Sequence, residues 1–335
     1  MPEGIGFPSG YHSTQEHYPK TEKLPTMKKL ILLTGLVFVA QVVLRAQDEA
    51  VYMHYIVSPI LVNPAAAGFN DTYNLQFNVR TQWTGFVDAP RTFSARYNGP
   101  LGRTFGLGIG VFSEKAAQLS RSKLQLDYAF RYPINEDWKL AFGFYTEFQQ
   151  MRIDGDITSS PFYDPADGVL EELLNGKGQF DAAVGIYGTY RKNTFGGMTF
   201  NNLVSSRLSN IAGVNSSESF FSHYTFNLGH RFEMTDQKVT LEPSIMMRQI
   251  RNAPFQMDLN LKAGFLDEQL IAGLSYRAGL GAMGILLGTK LTNFNLFYSY
   301  DVSFQRFQKY NTGSHELTVA VTLKKRDKKK NGQNN

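Results

Sequence analysis

From residue 72 onward the chain alternates apolar and polar residues with a period of two, the spacing of strands with one apolar and one wet face. In KLQLDYAFRY, Leu124, Leu126, Tyr128, Phe130 and Tyr132 share one face, and Lys123, Gln125, Asp127 and Arg131 take the other. The split recurs in TYNLQFNVR, where Tyr73, Leu75, Phe77 and Val79 oppose Asn74, Gln76, Asn78 and Arg80. FQMDLNLKAGF repeats it, with Met257, Leu259, Leu261 and Phe265 against Gln256, Asp258, Asn260 and Lys262. The pattern predicts fourteen strands, near 72–83, 91–98, 104–113, 121–132, 137–152, 179–191, 194–204, 220–232, 237–250, 255–264, 268–277, 282–290, 293–303 and 315–323. Most are near the roughly ten residues that a tilted strand needs to cross a bilayer.

The connections alternate in length. Those after even-numbered strands are short (GPLGR, PINED, Lys192-Asn193, EMTDQ, FLDE, LTN), and most after odd-numbered strands are long, including TGFVDAP, the excursion 153–178 and QRFQKYNTGS. Short turns at one end and long loops at the other mark an outer-membrane barrel. A soluble lipocalin-like barrel or sandwich would bury its apolar face, whereas fourteen strands enclose a lumen too wide for side chains alone to fill. The expected fold is therefore all-β: a transmembrane antiparallel β-barrel of about 14 strands over residues 72–323, of the outer-membrane type and integral to that membrane. Pro243 is the misfit, because it falls inside the ninth strand, where a closed barrel accepts proline only at a bulge.

Upstream of the alternation, MKKLILLTGLVFVAQVVLRAQ has a basic start, an apolar stretch and a cleavage pattern ending at Ala46. Residues 27–46 are expected to be a secretory signal peptide, and 1–26 an upstream extension outside the fold. The chain has no cysteine, so an exported fold can rest on neither disulfides nor thiolate metal sites. Its formal charge of +5 is unevenly placed. Residues 1–46 hold five Lys/Arg against three Asp/Glu and 324–335 hold six against one, leaving 23 against 25 for 47–323. A near-neutral body with a basic tail argues against nucleic acid as a partner, and the even strand count places the tail 324–335 in the periplasm.

Residues 47–71 precede the first strand and contain SPILVNPAAAGFN, which can be neither a central strand nor a helix because of Pro59 and Pro64. It is expected to be extended and non-repetitive. Two readings stay open: a plug folded into the barrel, marked by Pro59, Asn63, Pro64 and Gly68, or a periplasmic strap. FGLGIGVF favours the plug by turning Gly106, Gly108 and Gly110 inward, where another backbone can approach.

Two motifs suggest chemistry and fail on geometry. GLGAMG, 279–284, has the glycine spacing of a dinucleotide fingerprint, but strand and turn follow it where the fingerprint needs a helix. Ser314, His315 and Glu316 supply the residue types of a hydrolase triad, yet neighbours on a strand point to opposite faces and cannot relay a proton. No catalytic residue, cofactor or metal site is expected. Trp83, Tyr97, Tyr132, Trp138, Tyr190 and Tyr298 fall mostly near strand ends, as girdles against outer-membrane lipid do.

HYIVSPILVNPAAAGF, RTQWTGFVDAPRT and FYSYDVSFQRF with TGSHELTVAVTL resemble the PorP/SprF family of outer-membrane proteins of the type IX secretion and gliding machinery, over roughly residues 50–323. The resemblance implies a barrel without enzymatic activity that binds or anchors exported surface proteins, or other subunits of the machinery; a passive porin-like diffusion channel is the alternative. Closure must pair the first strand with the last, so the loops after strands one and thirteen emerge together on the extracellular rim. The expected partner-binding seam comprises Trp83, Gly85, Phe86, Ala89, Pro90, Arg91, Phe307, Tyr310, Gly313, Ser314 and His315.

Overall fold

A computed structural model describes residues 52–161, 163–204, 223–250, 255–278, 281–304 and 309–324. The upstream extension, the signal peptide and all of the basic tail beyond Lys324 lie outside the described residues.

Among the described residues there are fourteen strands: β1 Thr72–Thr81, β2 Arg91–Leu101, β3 Phe105–Ala116, β4 Leu119–Pro133, β5 Trp138–Ile153, β6 Lys177–Tyr190, β7 Thr194–Phe200, β8 Tyr224–His230 with a continuation Phe232–Met234, β9 Val239–Gln249, β10 Gln256–Phe265, β11 Leu270–Arg277, β12 Ala282–Lys290, β13 Phe294–Ser303 and β14 Ser314–Lys324. Each pairs antiparallel with its neighbours in sequence, and β1 pairs with β14 over Thr72↔Lys324 to Thr81↔His315. The sheet thus closes without an edge, which an isolated membrane-spanning sheet requires. No described helix is long and apolar enough to cross a membrane; the crossing is made by strands.

Burial follows the alternation and fixes the two faces. Leu75, Phe77 and Val79 of β1 and Phe105, Leu107, Ile109 and Val111 of β3 are exposed. Gln76, Asn78, Arg80, Asp127, Arg131, Glu242, Asp258, Lys262, Arg277, Asp301 and Glu316 are buried. A wall with apolar residues outward and charges inward is built for lipid outside and a polar lumen within.

Pro243 pairs with Leu261 of β10 on one side. On its other side the β8 ladder is interrupted, with pairing resuming at Leu241↔Phe232 and Ser244↔Gly229. The missing proline N–H therefore coincides with a break in its neighbour instead of costing a ladder bond. The 153–178 excursion carries a short helix, α1 Gly168–Asn175, started by the Asp167 carboxylate accepting from Val169 N and Leu170 N. Eight residues are too few for periodicity to reveal a helix.

Candidate functional site

Residues 53–69 lie against the inward faces of strands all around the barrel. They form three single 3-10 turns, His54–Ile56, Pro59–Leu61 and Pro64–Ala66, and not the extended path expected. For the second and third turns the reason is local: proline at the first position of a turn loses no bond and presets φ. Asn63 caps the third turn, its Oδ1 accepting from Ala65 N at 3.0 Å while its Nδ2 donates to Ile186 O at 2.8 Å.

Small residues let this segment meet the wall backbone to backbone. A Cβ on Gly143 of β5 would lie 2.5 Å from Ala65 Cα, and one on Gly197 of β7 2.6 Å from Asn63 Nδ2. On Gly106 of β3 it would strike Ala67 O. Gly68 has φ +59°, and a side chain there would also meet the Gly99 carbonyl at 2.6 Å. Of the expected row, only Gly106 receives the segment. Gly108 and Gly110 instead make room for the Asp127 carboxylate and the Arg96 guanidinium, which pair at 2.8 Å.

Charged groups tie the segment at both ends. At the long-loop end, Glu316 accepts from Met53 N (2.8 Å), His54 N (3.3 Å), Asn78 Nδ2 (2.8 Å) and Arg80 Nη1 (3.1 Å). Arg80 also reaches Asp301 at 2.7 Å, and Tyr55 donates to Asp258 at 3.1 Å. At the short-turn end, Arg131 Nη1 donates to Gly68 O at 2.6 Å and to Asp71 at 2.5 Å. Lys139 bonds Phe69 O, reaches Asp71 at 3.1 Å, and sits over the Phe69 ring. Partial desolvation pushes the Asp71 carboxyl up, but the hydrogen bonds and charges of Arg131 and Lys139 prevail and hold it below its ordinary value. Alternation had already turned Asp258 and Arg80 inward; that residues 53–71 are what several of these groups grip was not in the pattern.

The two rim loops are laced together. Thr84 N donates to Gly313 O (2.8 Å), Thr312 N donates to Thr84 O (2.7 Å), and Trp83 N donates to Ser314 Oγ (3.1 Å). Gly85 at φ +106° and Gly313 at φ +91° occupy left-handed backbone that favours glycine. Phe86 and Arg91 are exposed and Tyr310 is 73% exposed, whereas Ala89 and Pro90 are half-buried, Pro90 O accepting from Gln82 N at 2.9 Å. Phe307 lies outside the described residues. Val87, 91% exposed, and exposed Phe304 extend the apolar surface; both were missed, since loop positions carry no alternation.

Ser314 and Glu316 face inward, and His315 faces outward between Tyr298, whose hydroxyl is 2.7 Å from Nδ1, and Tyr300. His315 thus keeps company with the aromatic girdle and not with the loop tips. Gly279 of the glycine motif lies outside the described residues, and Ala282 already begins β12. No group of side chains able to hold a metal is found among the described residues.

The sequence profile described as "Type IX secretion system membrane protein PorP/SprF" matches residues 44–321. No curated protein matches the chain by sequence. Among solved structures, the CymD monoaromatic hydrocarbon channel superposes with a TM-score of 0.51 at 10% identity, covering 81% of this chain and 93% of that one. The Acinetobacter baumannii outer membrane protein Omp33 gives 0.46 at 6% identity, over 77% of this chain and 100% of that one. A Pseudomonas aeruginosa FadL homologue gives 0.45 at 9%, over 78% and 92%. At 10% identity the likeness to the channel speaks to the barrel fold alone.

Proposed function

The chain belongs to the type IX secretion system membrane protein PorP/SprF family, and from that premise we propose that it is a non-enzymatic anchor of the secretion and gliding machinery. In this reading residues 53–69 plug the barrel, and the extracellular seam holds an exported surface protein or another subunit of the machinery. The observation that carries the reading is the seam itself. Two loops more than two hundred residues apart in sequence are hydrogen-bonded into one rim, with Phe86, Val87 and Tyr310 exposed and Arg91 and Lys309 beside them. A fixed apolar centre with a charged edge is the composition of a protein-binding patch.

The passive-channel alternative is disfavoured by the wall-to-wall segment, whose bonds to β1, β6, β10 and β14 cross the lumen where a solute would pass. The test is the double substitution Phe86→Ala with Tyr310→Ala. Both side chains are exposed, so the barrel should assemble normally yet lose its companion in pull-downs from solubilised outer membranes. A folded double variant that retains its companion would place binding elsewhere, and loss of the barrel itself would assign the two rings to closing the seam.

A further inference from the structure

Below residues 55–62, at the short-turn end of the lumen, lies a chamber of about 340 Å³ whose chemistry the anchor reading does not use. Ile56 and Val62 form its ceiling, and Tyr187 and Phe195 part of its wall. Four cationic side chains line it: Lys192 from the turn after β6, Arg231 beside β8, Lys262 of β10 and Lys290 of β12. Among the described residues two carboxylates pair with them directly, and Glu233 acts on Arg231 from further off. Glu242 takes Lys262 at 2.6 Å and Arg231 at 3.1 Å; Glu268 takes Arg231 at 3.0 Å and Lys290 at 2.9 Å.

Lys262 is spent on Glu242 and on Ile56 O, and its side chain is 8% exposed. Arg231 and Lys290 keep 30% and 34% of their side chains exposed, and each has donors beyond those the glutamates accept. Lys192 has no carboxylate partner among the described residues. A walled recess with surplus positive charge focuses field on whatever enters it, and its free donors fit the planar or tetrahedral oxygens of an anion. The surplus stands out because residues 47–323 as a whole carry slightly more acidic than basic residues.

We propose that this chamber is a binding site for a small oxyanion, a carboxylate or phosphate group entering from the periplasmic side, held by Lys192, Lys290 and Arg231, with Lys262 and the two glutamates fixing the cations in place. Tyr187 and Phe195 would pack against whatever apolar body carries the group.

The test uses the full chain purified in detergent at fixed ionic strength, titrated calorimetrically with inorganic phosphate and, separately, with glutarate. Saturable binding of one anion per barrel is expected, and the tighter of the two probes identifies the source of the oxygens. Lys192→Met should weaken it about tenfold, the worth of one charge-assisted hydrogen bond. Because Lys192 is exposed and unpaired, that variant should fold. Lys177→Met, at the opposite end of the barrel, should bind like the parent. Absence of binding by the parent chain to either probe, or unchanged affinity in Lys192→Met, overturns the proposal. Either failure leaves the seam and its partner untouched, so the two readings stand or fall separately.

Discussion

Asp71 shows how a single side chain decides where residues 53–71 end. It lies one residue before β1, its φ is +57°, and its carboxylate bridges Arg131 of β4 and Lys139 of β5. The same two cations grip Gly68 O and Phe69 O, so the carboxylate and the backbone share one clamp. Because the folded-state value of Asp71 is depressed, its contribution is complete above the ordinary carboxylate value and fades as pH falls through the lower folded value. Its side chain is 59% exposed, so solvent screens the pair and the effect is local. Amide exchange at residues 66–71 should be constant from neutral pH down to about 5, once corrected for intrinsic rates, and should accelerate below about 4. In Asp71→Asn it should be fast throughout. A parent chain whose corrected exchange is flat to pH 3 would show that the carboxylate does not hold the segment.

At the scale of elements, alternation made the wall legible and left the rest dark. The strands follow from the period of two, and the same phase gives the face of each residue: Leu126 outward, Gln149 inward. Leu126→Arg should therefore cost roughly 2–4 kcal/mol in a refolding assay, while Gln149→Lys should be close to neutral. Comparable losses from both would mean that the assignment of faces is wrong. Where no period exists the sequence was silent. The segment around Pro59 and Pro64 could be read as a strand-breaker, but its third turn packs on wall glycines that are scattered over β3, β5, β6 and β7 and adjacent only in space. Gly106 was legible because it stands in an unusual local row; Gly143, Gly185 and Gly197 look like ordinary strand glycines until the barrel closes. Pro243 was legible as a conflict and not as its resolution, since the break in β8 is a property of the neighbouring strand.

At the scale of the molecule, a fourteen-strand wall leaves a lumen that a porin would fill with water, and here residues 53–69 cross it. Their contacts run from Glu316 and Thr318 of β14, through Asp258 and Lys262 of β10, to Ile186 of β6 and Arg131 of β4. A chain held on every side in this way is what the proposed plugged anchor requires. The most direct measurement is single-channel conductance in planar bilayers of the purified full chain, beside a variant lacking residues 53–69. The full chain should be nearly silent, and the deletion should open steady, ohmic channels. A full chain that conducts steadily at the level of the deletion variant would contradict the plugged anchor.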